Sequence, residues 1–135
     1  MIVQSLAGLG AFAAYFLTGA GLCALYLIVY TRITKHDEFD LIVEQKNASA
    51  ATSLGLSLLG FSLPLASAIL HTVSILDCLI WGLIALVVQV AAYYVARLVY
   101  PAVSEDIAQN ALAAALWLGF VSITAGVISA VSMST

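Results

Sequence analysis

A chain of 135 residues in which 64% are apolar and 8% charged is not a soluble domain, because soluble domains carry about 25% charged and roughly half apolar residues. Four Lys and Arg against seven Asp and Glu give a net charge of −3, which leaves no basic patch and excludes nucleic acid as a partner. The chain reads as a membrane protein whose first partner is the lipid bilayer. A hydrocarbon core of ~30 Å needs about 20 mostly apolar residues in a helix, and four such runs occur, at residues 5–30, 47–73, 76–100 and 110–133.

Lipid offers the backbone no hydrogen-bond partner, so each run must be a helix that satisfies its own amides. The expected fold class is an all-α membrane protein, with four transmembrane helices arranged as two parallel-repeat helical hairpins over residues 1–74 and 75–135. No basic residue precedes the first run, and it exceeds the ~7–15 apolar residues of a secretory signal. It therefore reads as a retained span. Its Cys23 lies roughly 20 Å in depth from Cys78, near the start of the third span, at 1.5 Å per residue. A disulfide needs Cα atoms within about 7 Å, so two free thiols are expected.

The first connection, residues 31–46, reads "TRITKHDEFDLIVEQK". Arg32, Lys35 and Lys46 fall in it, and Arg97 lies near the end of the third run, which accounts for all four basic residues. Short loops rich in Lys and Arg stay cytoplasmic. Both termini and the turn at residues 71–77 are then expected on the periplasmic side of a bacterial inner membrane. Asp37 is placed to cap a helix that begins at Glu38 and runs into the second span, with Phe39, Ile42 and Val43 on one face. Because this connection is the largest soluble surface, Asp37, Glu38, Phe39 and Asp40 are the expected docking residues for a cytoplasmic protein partner. The plainer alternative is a solvated acidic helix start.

The second and fourth runs open with "NASAA" and "NALAA", built on Asn47 and Asn110, the two asparagines of the chain. A shift of 63 places pairs them, and also pairs Gly19 with Gly82, Tyr30 with Tyr93, and Ala48, Ala50 and Ala51 with Ala111, Ala113 and Ala114. This predicts an internal repeat whose units share one orientation about an axis along the membrane normal. Helical spacing puts Ala48, Ala51, Thr52 and Gly55 on one face, and Ala111, Ala114, Ala115 and Gly119 on another. Small faces let membrane helices approach closely. Asn47 and Asn110, at the ends of those faces, either hydrogen-bond across helices or cap helix starts. Pro64 lies inside the second span, where it kinks the helix and frees the carbonyl of Gly60. Ser57, Ser62 and Ser67 surround that point in sequence, which allows either a small polar cavity or ordinary packing. Gln89, deep in the third span, is the remaining strongly polar side chain and the candidate pore residue.

Several motifs carry no chemistry. "GLGAFA" lacks the strand and βαβ unit that a dinucleotide site requires, and the "NAS" acceptor falls at the expected cytoplasmic membrane edge. His71, Asp77 and Cys78 have no regular metal-ligand spacing. Nothing pairs a nucleophile with a base, and no acidic residue or histidine lies deep in an expected span, where proton pathways place them. The chain is therefore not expected to be an enzyme, and no catalytic residue, cofactor or metal is assigned.

Through "TKHDEFDLI", "NASAATSLGLSLLGFSLPLASAI", "WGLIALVVQ" and "YPAVSEDI" the chain resembles the YjfL family of uncharacterised bacterial inner-membrane proteins, built on a tandem domain of unknown function. The residues at 36–39, Asn47, the proline segment, Ser104 and Glu105 fall in the expected order. The resemblance implies an inner-membrane location and two paired two-helix domains. Family gene neighbourhoods with phage-shock-protein-A-like coat proteins and ATP-grasp enzymes imply a role in membrane maintenance or envelope stress, by association alone.

Two functions follow as expectations. The first is a non-enzymatic membrane scaffold or anchor, homo-oligomeric, that recruits a cytoplasmic partner through residues 32–46. The second is a small pore or carrier whose path follows the axis between the repeats past Asn47, Asn110, Gln89 and the Gly60 to Pro64 kink.

Overall fold

The computed structural model describes residues 2–34 and 37–133. Lys35 and His36, which enter the sequence reading above, lie outside the described residues. Four helices are long and apolar enough to cross a membrane: α1 (Ile2–Ile33), α2 (Ala48–His71), α3 (Ile75–Val99) and α5 (Leu112–Met133). A π-helical turn, Asp40–Glu44, precedes α2, and a short α4, Val103–Ala108, lies between α3 and α5. Among the described residues there is no strand.

Polar side chains define where the spans begin and end. Asn47 Oδ1 accepts the Ala50 N–H at 2.9 Å and Ser74 Oγ accepts that of Asp77 at 3.2 Å, each satisfying a donor that the first helical turn leaves over. Asp77 in the first turn of α3 and Arg97 in its last both suit the helix dipole. The α2 helix ends where the Thr72 hydroxyl and N–H both donate to Ala68 O, at 2.6 and 3.1 Å.

Pairwise contacts give the directions of the spans. Along α2 and α5, Leu56 meets Gly119, Ser57 meets Ser122, Gly60 meets Gly126 and Ser67 bonds to Ala130. Both numbers rise together, so these helices are parallel. On α1 the order reverses, Gly19 meeting Ile69, Tyr26 meeting Phe61 and Tyr30 meeting Ser53, so α1 is antiparallel to α2. The α2 helix touches all three other spans and is the centre of the bundle. The core gathers Leu22, Tyr26, Tyr30, Phe61, Tyr93 and Leu118. Tyr26 stacks on Phe61 with centroids 4.8 Å apart, and Tyr30 meets Tyr93 edge-on at 6.2 Å, arrangements worth about 0.5–1.5 kcal/mol each beyond burial.

Only the second half of α1 docks. Its buried residues are Gly19, Leu22, Tyr26 and Tyr30, whereas Ile2, Leu6, Leu9, Phe12 and Phe16 are exposed. A Cβ on Gly8, Gly10 or Gly21 would meet nothing within 4 Å.

Two expectations need revision. Asp37 does cap the helix at Glu38, its Oδ1 accepting the Asp40 N–H at 3.2 Å, but that helix does not run on into α2. It widens into the π-helical turn and breaks at Lys46, with φ of 54°, because Asn47 must be extended (φ −79°, ψ 106°) to cap α2. Second, the packing face of α2 is not the expected one: Ala48, Ala51 and Gly55 are exposed and Thr52 is half-buried. The buried face lies one residue on, at Ser49, Ser53, Ser57 and Gly60. Serine serves as a small residue when its hydroxyl bonds back to its own helix, as Ser53 Oγ does to Ala50 O at 3.2 Å. On α5 the expected face does pack, with Ala114, Ala115 and Gly119 buried.

Candidate functional site

Pro64 has no N–H, so the Gly60 carbonyl loses its partner four residues on. The structure supplies a substitute from another span. Gln89 Nε2 donates to Gly60 O at 3.3 Å and to Ser122 O at 3.2 Å. Ser122 Oγ lies within reach of both Gln89 Oε1 and, at 3.2 Å, Ser57 O, and its one proton serves one of them at a time. Gln89, Ser122, Ser57 and Gly60 are all buried, and each sits near the middle of its helix. Gly60, named with Pro64 as the kink, and Gln89, named as the candidate pore residue, are bonded together here in a polar node with Ser57 and Ser122. Ser62 and Ser67 take no part, donating to Leu59 O at 2.6 Å and Ala130 O at 2.9 Å.

Two glycines allow the approach. A Cβ on Gly60 would stand 2.6 Å from Ser122 O, and one on Gly126 would collide with the Gly60 carbonyl oxygen. In both cases the obstacle is backbone, which cannot swing aside.

From this node a line of buried hydroxyls runs toward the loops. It comprises Tyr26 and Tyr30 on α1 with Ser49 and Ser53 on α2, each at most 3% exposed. The Tyr30 hydroxyl lies 3.4 Å from Ser53 Oγ. Glu38 stands at the loop end, just ahead of the π-helical turn. Expected as a docking residue at the surface, Glu38 is only 1% exposed and is part of the bundle. Asp37, Phe39 and Asp40 are exposed.

Asn47 is both a cap and an interhelical contact. While its Oδ1 caps α2, its Nδ2 donates to Ile107 O at 3.0 Å and Ala108 O at 3.2 Å. Asn110 instead has φ of 65°, a left-handed conformation that asparagine tolerates better than most residues, and its Oδ1 accepts the Ser49 N–H at 3.0 Å. Asn47 thus ties the start of α2 to the end of α4, and Asn110, just ahead of α5, is tied to the start of α2. Asn47→Ala is expected to cost about 2 kcal/mol, one cap plus two interhelical bonds. Asn110→Gly keeps the backbone conformation, loses one bond and is expected to cost less than about 1 kcal/mol. Equilibrium unfolding in mixed micelles separates the two, and equal losses would contradict the distinction.

Between the π-helical turn and α4 lies a groove of about 290 Å³, in which Asp37, Asp40, Gln45, Ser104 and Glu105 surround the apolar Leu41 and Ala108. Gln45 Nε2 donates to Asp40 Oδ2 at 2.9 Å. Nearby the Tyr100 hydroxyl donates to the Asp106 carboxylate, and that bond, followed by burial and the carboxylate charge, raises the Tyr100 pKa above its ordinary value. Toward the other end of the bundle, His71 Nδ1 and Ser67 Oγ are 3.3 Å apart, and Cys23 and Cys78 are free thiols. Among the described residues no three His, Cys, Asp or Glu side chains are placed to hold one metal ion.

A family model described as "Domain of Unknown Function (DUF350)" matches residues 4–133. The chain belongs to this family. It is 40% identical over 126 residues to the protein called "UPF0719 inner membrane protein YjfL" of Escherichia coli strain K12, covering 92% of this chain and 93% of that one. The protein of the same description from Escherichia coli O157:H7 matches to the same extent. No solved structure matches. Family membership and the four spans together make this a multi-pass membrane protein of the inner-membrane type, and they indicate no enzymatic family.

Sequence reasoning missed Ser122, Ser53 and the inward turn of Glu38. The signal for Ser122 was present: it stands four residues before Gly126 and three after Gly119, on the small face of α5. No such signal marked Glu38, which sits among three other acidic residues in a polar connection.

Proposed function

We propose that the chain is a non-enzymatic inner-membrane scaffold that recruits a soluble partner through its loop-bearing end, which faces the cytoplasm, in the service of membrane maintenance or envelope stress. The observation that carries this reading is the acidic groove between the π-helical turn and α4, flanked by exposed Phe39 and Val43. Three carboxylates around a concave surface beside two apolar side chains suit a basic, amphipathic segment of another protein. Of the polar groups on the alternative path through the bundle, Gln89 and the Gly60 carbonyl are bonded within the node and both asparagines are bonded at the helix starts, and that favours a scaffold over a pore. Self-association through Ala48, Ala51 and Gly55, which the fold leaves exposed, completes the scaffold.

The test is crosslinking in intact cells, comparing the native chain with a variant carrying Asp37→Lys, Asp40→Lys and Glu105→Lys. Glu38 is left unchanged because it is buried. A soluble protein that crosslinks to residues 37–45 of the native chain and is lost from the variant supports recruitment. Retention of every crosslink by the variant removes the docking role.

A further inference from the structure

Arg97 is a half-buried cation in the last turn of α3. Asp37, Asp40, Glu44, Glu105 and Asp106 lie at the same end of the bundle, yet no hydrogen bond or ion pair joins the Arg97 guanidinium to any described residue. The helix dipole favours a cation at this position but supplies no counter-ion. The side chain lines a groove of about 440 Å³ with Tyr94, Leu98 and Pro101, a stripe at helical spacing on the outer surface of the bundle. Tyr94 and Leu98 are exposed, as are Val95, Ala91 and Val87 deeper along α3. Apolar surface therefore continues from the groove toward the membrane interior, while a cation and a tyrosine stand at the polar edge.

We propose that this groove binds an anionic phospholipid, the Arg97 guanidinium holding the phosphate and the acyl chains lying along α3. A guanidinium presents paired N–H donors that match two phosphate oxygens, and its aliphatic stem packs on apolar surface while the head reaches the interface. Tyrosine belongs at headgroup depth. The negative charge of the lipid is the counter-ion that the carboxylates of the chain do not provide. This inference is independent of any protein partner.

The experiment is native mass spectrometry of the purified full chain released from mixed micelles that contain equal phosphatidylglycerol and phosphatidylcholine. One cation at the interface is worth about fivefold in preference for the anionic lipid, so one phosphatidylglycerol retained with about that enrichment is expected. Arg97→Gln should bring retention down to the phosphatidylcholine level, and Arg97→Lys should keep part of the enrichment. Arg32→Gln, at the exposed end of α1, should leave it largely unchanged. Equal retention of the two lipids by the native chain overturns the proposal whatever the variants do. Unchanged enrichment in Arg97→Gln also overturns it. So does displacement of the lipid by free glycerol phosphate at the same concentration, which would make the site one for phosphate alone.

Discussion

Gln89→Leu is expected to destabilise the bundle by about 2–3 kcal/mol, and close to half of that loss should disappear when Pro64 is also changed to alanine. Leucine removes two donors and one acceptor from the node and strands the Gly60 carbonyl, which is buried where no water reaches it. The penalty of an orphaned group is usually about 1–3 kcal/mol, moderated in membranes because the unfolded chain also finds partners. Alanine at position 64 restores an N–H four residues after Gly60, and the helix then satisfies that carbonyl itself. The two substitutions touch one atom and so should not add. A double-mutant cycle on unfolding free energies in mixed micelles measures the coupling, expected at about 1 kcal/mol. Strict additivity would mean that Gln89 does not replace the bond that proline removes.

Gly126→Ala should be the most damaging single methyl in the chain. Overpacking a tight contact costs about 1–3 kcal/mol when side chains can adjust. Here the new methyl meets the backbone oxygen of Gly60, so a loss of about 3 kcal/mol or more is expected. Gly8→Ala and Gly10→Ala are the controls. Both positions are open, and alanine is the better helix former by about 1 kcal/mol, so these variants should be neutral or stabilised. The same unfolding measurement ranks all three. Similar losses at Gly10 and Gly126 would mean that the parallel contact of α2 with α5 is not the tight one.

The four spans were legible because lipid imposes one demand, length at high apolarity, and residues 5–30, 47–73, 76–100 and 110–133 meet it without competition. The faces of those spans were harder to read. A soluble helix shows its buried side by contrast of apolar with polar residues, whereas in lipid both sides are apolar. Ala48, Ala51 and Gly55 looked like an interface because they are small, and Ser49, Ser53 and Ser57 are just as small. Pro64, Gly60 and Gln89 were each noticed in the sequence. That they meet could not be read from it, since Gln89 belongs to another span and its depth relative to Gly60 is set by turns that the pattern does not fix. The asparagine pair shows the reverse case. Alike in sequence context, Asn47 is an extended cap and Asn110 has a left-handed backbone, a difference that the surrounding residues do not announce.

The tightest contact in the molecule joins the second span to the last, and that order has a consequence for biogenesis. During synthesis α1, α2 and α3 enter the bilayer before α5 exists, so Gly60, Ser57 and Gln89 must wait in lipid without Ser122 and Gly126. The three-span intermediate therefore carries an unfinished polar seam on α2, facing hydrocarbon or whatever escorts nascent helices, until the final 22-residue helix closes it. Quality control that senses polar groups in the bilayer would find its signal there, and release from it would depend on the arrival of α5.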